Sequence, residues 1–445
     1  MRGLLAAIFR GLSWKLGADI VGRLLQYILL WVAAGSLGRA GFGDFTFALS
    51  TGYMFAQVAD FGLQLYVQRE LARLVIPGAT AALYFTDARA AGRLVGGGLT
   101  IKLGLSVVAL SLIALLVWVE PVGNKSALLL VGLSMVLATG LDYLSYCFRA
   151  LGRLKEEAVL IVTARVVNLT IGLGLLALGA GVLGLAIAGN VAVGLALLVG
   201  YRRLSRYVRP LWRLDISYWR RSFRQPTAVG IGVIFSIISF RVDNLIIPPL
   251  AGREALGDYN LAYKLFEPSL IVPSVLLAAL FPLLSQAAGG STGDASQARD
   301  QARELKPLVG QTISILFWFG ALATLTLALL AVPIVNLLYG EQYVASGPLL
   351  QILALSCLPM YLNYGLTHML IAMDRPQLYA FFTLGALVVN VASNMVLIPL
   401  MGVQGAAFAT LGTEMALLVM CAIAVPRLAA RLPSSTREPG MGGSL

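Results

Sequence analysis

Ionisable side chains recur at helical spacing inside runs that are otherwise apolar. Lys15, Asp19, Arg23 and Gln26 lie four, four and three residues apart, one stripe of an α-helix. Gln57, Asp60 and Gln64 form a second stripe, leading to Arg69 and Glu70. Arg241, Asp243 and Asn244 interrupt a third apolar run, and Asn260, Lys264 and Glu267 share one face of a fourth. Asp142, Arg149, Arg165, His368 and Glu414 are scattered additions. The cations Arg23, Arg165, Arg241 and Lys264 suit an anionic headgroup such as pyrophosphate, which guanidinium and ammonium groups grip through charge-assisted hydrogen bonds. The acids Asp19, Asp60, Asp142, Asp243, Glu267 and Glu414, with Asn244 and Asn260 beside them, suit the carriage of a coupling H+ or Na+. The plainer alternative is local pairing, for which Asp19 with Arg23, Asp243 with Arg241 and Glu267 with Lys264 are all spaced. Other chemistries find little support. A single histidine leaves no histidine-based metal site or catalytic triad, and Cys147, Cys357 and Cys421 sit in apolar stretches as small hydrophobes. Gly179, Gly181 and Gly184 match a dinucleotide fingerprint, but they follow a helix-length apolar run rather than a strand and read as a tight turn. There is no Walker A sequence, and no cofactor is expected.

The elements that must carry these stripes are membrane helices. Hydrophobic residues make up 58% of the 445 and charged residues 12%, with a mean hydropathy of +0.84. Runs near the twenty residues needed to cross a bilayer fall at about 12–35, 43–67, 94–118, 126–148, 157–179 and 182–201, then at about 225–249, 257–284, 308–331, 347–372, 377–399 and 403–425. With the N-terminus in the cytoplasm, alternate loops receive 25 of the 33 Lys and Arg inside and three outside. That split obeys the positive-inside rule and predicts an even number of spans with both termini inside. It also accounts for the pI of about 9.8 without nucleic acid, because the cations follow loops rather than one patch. Charges within spans cost roughly 2.5–3.5 kcal/mol each, so such residues face a bundle interior or a hydrated cavity. Arg69, Glu70 and Arg149, at cytoplasmic ends of spans, are candidates for a gate. Proline pairs and singles (Pro248–Pro249, Pro268, Pro273) are expected to break or bend spans seven and eight.

Six plus six spans suggest an internal repeat. Ala150–Arg153 is followed by Asn168 and Ala372–Arg375 by Asn390, each eighteen positions after its alanine. Gly181–Ala186 parallels Gly402–Ala407, and Gly43–Phe45 parallels Gly257–Tyr259. The expected fold is therefore an all-α polytopic membrane protein of about twelve helices in two pseudo-symmetric six-helix lobes around a central cavity. The lobes are placed at 1–203 and 225–432. A basic amphipathic linker at 204–224, dense in arginine with tyrosine and tryptophan interspersed, is expected to lie on the inner leaflet. A disordered cytoplasmic tail is expected at 433–445.

The chain also resembles a known family. Ala59–Leu63 leading to Arg69–Arg73 resembles the end of the second span in polysaccharide and O-antigen flippases. So do Arg241–Asn244, Gly257–Tyr263 with Phe281–Pro282, Leu338–Tyr343, Asn390 through Pro399, and Gly402–Ala407. These proteins belong to the multidrug/oligosaccharidyl-lipid/polysaccharide exporter superfamily. The resemblance implies a monomer in the cytoplasmic (inner) membrane that is not an enzyme and exports a polyprenyl-pyrophosphate-linked oligosaccharide by alternating access. It implies contact with membrane lipids and with polymerase or ligase machinery. Two rivals share the fold, an ion-coupled drug or metabolite antiporter and a lipid II-type precursor flippase. The short tail at Arg431–Leu445, without the two extra helices of some lipid II flippases, weighs against the latter. A membrane glycosyltransferase or polymerase is disfavoured by outer loops only a few residues long.

Overall fold

The computed structural model describes residues 2–60, 63–76, 85–119, 125–212, 227–277, 280 and 295–431. The expected tail at 433–445 and linker residues 213–224 lie outside them. The described chain is helical apart from turns, short extended stretches and one isolated bridge, Val75 with Phe85. It divides into two compact units, Met1–Gly230 and Ile231–Leu445.

The first unit holds α1 (Arg2–Asp60), α2 (Leu63–Leu74), α3 (Ala88–Val119), α4 (Lys125–Ala150), α5 (Leu154–Ala177) and α6 (Gly181–Leu204). At 59 residues α1 would run about 88 Å, far beyond a 30 Å hydrocarbon core. Gly38 breaks it, with φ 70° and ψ 176°, a backbone region open in practice only to glycine. The two arms correspond to the first two expected spans, and the second stops at Asp60 before α2 resumes. Asp87 caps α3, its Oδ1 accepting from Ala90 N at 2.9 Å. That bond holds the carboxyl below its ordinary value. The core of this unit joins Val67 and Leu71 of α2, Val95 and Ile101 of α3, Tyr143 and Phe148 of α4, and Leu160 of α5. Tyr143 donates to Val95 O at 2.8 Å across Gly98, where a Cβ would collide with the Tyr143 hydroxyl.

The chain then forms α7 (Thr227–Ser239), α8 (Asp243–Ala251), α9 (Arg253–Phe266), α10 (Ala295–Tyr339), α11 (Ser346–Leu355), α12 (Cys357–Ala372), α13 (Pro376–Met401) and α14 (Val403–Arg431). Span seven is interrupted, though not where its prolines suggested. Pro248 and Pro249 lie inside α8, while the helix breaks into a turn at Phe240–Val242, where Arg241 and Asp243 are. Pro268 opens a 3₁₀ turn at Glu267–Leu270. The tenth span, expected as one run, bends by 40° at the break between α11 and α12. Among the described residues nine helices are long and apolar enough to cross a membrane, or ten with that bent pair taken as one span. The protein is a multi-pass membrane protein.

The repeat is visible in backbone geometry. Gly152 (φ 67°) and Asp374 (φ 56°), equivalent in the two Ala-x-x-Arg turns, both adopt the left-handed conformation. In each turn the arginine N–H then reaches back, Arg153 to Phe148 O at 2.8 Å and Arg375 to Leu370 O at 2.9 Å. Gly252 (φ 90°, ψ 173°) ends α8 with nearly the conformation of Gly38.

Candidate functional site

In the first unit the membrane-embedded charges gather around Lys102. Its Nζ lies 3.0 Å from Asp60 Oδ1, with the two side chains 4% and 14% exposed. Asp142 on α4 is close enough to interact electrostatically with Asp60, Lys102, Arg149 and Arg165, and Arg165 likewise feels Arg23. Asp60, Lys102 and Asp142 thus come from α1, α3 and α4, the last two held together by the Val67–Val95–Tyr143 core. Asp19 and Arg23, though spaced for pairing, form no ion pair among the described residues.

The expected gate residues separate. Arg149 Nε donates to Glu157 Oε1 at 2.7 Å, and Lys15 Nζ approaches the same carboxylate at 3.7 Å. Arg69 and Arg73 instead flank Glu70 at 3.5 and 2.9 Å on the exposed side of α2. Glu157, fully buried, was not among the residues that sequence spacing singled out. It sits at the start of α5, where an acid is an ordinary N-terminal choice.

The second unit carries two polar groups of different character. At the α7–α8 break, Arg241 Nη2 and Lys264 Nζ each lie 2.8 Å from the two oxygens of Glu267. One carboxylate is shared by two cations, leaving a formal charge of one in excess. The second group surrounds Asp243, which is 2% exposed and makes no ion pair with Arg241. Its carboxylate accepts from Tyr259 Oη at 2.7 Å, Asn394 Nδ2 at 2.7 Å and Thr410 Oγ1 at 3.3 Å. Asn260 Nδ2 donates to Asn244 Oδ1 at 2.6 Å, tying α9 to α8. One turn along α14 from Thr410, Glu414 accepts from Asn363 Nδ2 at 2.7 Å. Asp243, Asn390, Thr410, Thr413 and Glu414 line one small cavity, with room for about one water molecule. The side-chain oxygens of Asn363 and Asn394 are buried without a hydrogen-bond donor among the described residues. An oxygen-rich pocket with two acids and no cation can hold a proton or a small cation. No group of three or more His, Cys, Asp or Glu poised to hold a metal ion occurs among the described residues.

Sequence reasoning found both acids but missed Tyr259, Asn363, Asn394 and Thr410 as their partners. The signal present was Asn390 and Asn394 four apart on one face of α13.

A sequence profile described as "Polysaccharide biosynthesis protein" matches residues 8–288. The protein described as "Probable low-salt glycan biosynthesis flippase Agl15" of Haloferax volcanii is 21% identical over 397 residues, covering 88% of this chain and 78% of its own. Among solved structures, an inward-facing multidrug resistance MATE family transporter superposes with a TM-score of 0.75 at 14% identity, covering 93% of this chain and 96% of that one. The lipid II flippase MurJ, in an inward closed conformation, gives 0.64 at 11% identity, covering 93% and 90%. At these identities the two structures attest a common fold.

Proposed function

The chain belongs to the polysaccharide biosynthesis protein family, and on that premise we propose that it flips a polyprenyl-pyrophosphate-linked oligosaccharide across the cytoplasmic membrane by alternating access, without enzymatic chemistry. The observation that carries this reading is the Arg241–Glu267–Lys264 group, a membrane-level cluster with one cation more than its acid neutralises. A pyrophosphate brings two or more negative charges and is attracted by that excess, whereas a free organic cation would be repelled. Arg23 and Arg165, which no ion pair occupies among the described residues, supply further positive charge in the first unit. The named relative's description as a glycan biosynthesis flippase points the same way.

Twelve spans follow when the two arms of α1, the α7–α8 and α11–α12 pairs, and the run beginning at α9 are each counted as one. The bias of loop Lys and Arg supports having both termini inside. The Asp243–Asn394–Thr410 pocket, with Glu414 beside it, carries the coupling H+ or Na+, because its acids lack a cationic partner. This division of labour separates cargo-holding cations from ion-holding acids.

A second reading is drug antiport, favoured by the same two unpaired acids and by the MATE-type fold. Complementation decides between them. Expression in bacteria lacking their own flippases restores surface glycan and clears lipid-linked intermediates if the first reading holds. Protection against toxic organic cations without glycan rescue would establish the second.

A further inference from the structure

The segment that leaves α6 is strapped to α3 in a way that the transport site does not require. After Leu204 the chain turns through Ser205–Tyr207 and continues without helix to Trp212. Leu211 N donates to Gly92 O at 2.8 Å. A Cβ at Gly92 or Gly96 would run into the backbone of Arg209 or Leu211, so two glycines one turn apart form the bed of the strap. Leu204 and Val208 are buried against the core.

The strap nevertheless turns apolar groups outward. Leu211 is 42% and Trp212 47% exposed, and the indole, its Nε1 donating to Tyr201 Oη at 3.2 Å, is held against the Tyr201 ring at 6.3 Å. Arg202, Arg206 and Arg209 on the same segment are exposed, as are Arg89 and Arg93 flanking Gly92. Nearby acids are few and engaged. Glu156 is taken by Arg203 at 2.6 Å, and Asp87 lies 3.7 Å from Arg93. A rigidly held tryptophan and leucine beside five exposed arginines at the end of a membrane helix match the interface of an anionic leaflet. Aromatic rings settle there at headgroup depth, and arginine takes phosphate bidentately.

We propose that this strap is a docking site for anionic phospholipid of the inner leaflet, the headgroup phosphate on Arg202, Arg206 and Arg209 and the acyl region against Leu211 and Trp212. The proposal rests on the topology given above, which puts the α6 end inside. It does not depend on what the protein carries.

The test uses the purified full chain, delipidated in detergent and titrated with phosphatidylglycerol or phosphatidylcholine, with bound lipid counted by native mass spectrometry. Wild type prefers phosphatidylglycerol, and the preference weakens with added salt. The triple variant Arg202→Gln/Arg206→Gln/Arg209→Gln binds phosphatidylglycerol about a hundredfold more weakly, at roughly fivefold per arginine. Trp212→Ala weakens binding of both lipids. Equal phosphatidylglycerol binding by the triple variant and wild type overturns the site. Separately, Arg206→Cys, with the buried native cysteines replaced by serine, reacts with a membrane-impermeant maleimide only from the inner side. Labelling from outside overturns the topology whatever the lipid titration gives.

Discussion

Replacing Lys102 by methionine is the most informative single change in the first unit. The ammonium is 4% exposed and bonded to Asp60 at 3.0 Å, with Asp142 acting on both. Removing one member of a buried pair costs about 3–5 kcal/mol, because the remaining charge keeps its desolvation penalty without its partner. The two directions of removal differ here. Lys102→Met leaves Asp60 and Asp142 facing each other as like charges, so it belongs at the upper end of that range. Asp60→Asn leaves Lys102 with Asp142 still to face and belongs at the lower end. The double variant Asp60→Asn/Lys102→Met removes the pair together and costs less than Lys102→Met alone, an interaction energy of at least about 3 kcal/mol. Adding Asp142→Asn to Lys102→Met recovers part of the loss by removing one of the two like charges, but only part, since Asp60 stays largely buried without its partner. Denaturant unfolding of the four proteins in one detergent, followed by tryptophan fluorescence, measures the cycle. Additive losses, or Asp60→Asn costing more than Lys102→Met, would refute the account of Lys102 as the counter-ion of two carboxylates.

Arg241→Gln and Lys264→Gln, each removing one of the two cations on Glu267, abolish glycan export while membrane abundance stays normal; surface polysaccharide and immunoblots read this together. Asp243→Asn keeps the bonds from Tyr259 and Thr410 but removes the charge, and it eliminates the ion dependence of transport measured in vesicles with imposed H+ or Na+ gradients. Gly38→Ala and Gly252→Ala force a Cβ into backbone conformations near φ 70° and 90° with ψ near 175°, each lowering stability by about 1–3 kcal/mol. Gly17→Ala, at a helical position with open space around it, raises stability in the same assay by about 0.5–1 kcal/mol.

Much of this architecture was legible because a bilayer simplifies the reading. Apolar length marks each span, so helices from α3 to α6 and from α13 to α14 fall within six residues of expectation at each end. Breaks inside spans were harder. Pro248 and Pro249 looked like the interruption of span seven, yet they sit in the last turn of α8, just before it ends at Ala251, and so stop that helix rather than break it midway. The actual break at Phe240–Val242 has no proline or glycine, and it occurs where Arg241 and Asp243 need different surroundings. Pairing was misjudged for a related reason. Arg241 and Asp243 are two residues apart, which on a continuous helix places them on different faces. Sequence proximity suggested a pair, but Arg241 turns to Glu267 and Asp243 to Tyr259, Asn394 and Thr410. Of the partners of Asp243, Tyr259 lies sixteen residues away on α9 and Asn394 and Thr410 more than 150 away on α13 and α14, and all are uncharged, so no pattern of charges could reveal them.

The duplication supplies its own control for the Asp243 pocket. At the offsets set by the shared turns, Asp243 corresponds to Leu29, Asn390 to Asn168, Asn394 to Gly172, Thr410 to Gly189 and Glu414 to Val193. The correspondence is physical as well as arithmetic. In the second unit Asn394 donates to Asp243, and in the first a Cβ on Gly172 would meet Leu29 Cδ1 at 2.9 Å. Leu29 is buried there, and neither Gly189 nor Val193 bears a polar side chain, so the scaffold closes at this place without an acid. Burying a carboxylate instead costs free energy that hydrogen bonds from neutral donors only partly offset. A group that the fold does not need, and that one copy dispenses with, is retained in the other against that cost. The turns at Gly152 and Asp374 and the breaks at Gly38 and Gly252 hold both copies to the same frame. The difference between them is therefore chemical, a seam without an acid in the first unit and an acid-bearing pocket in the second.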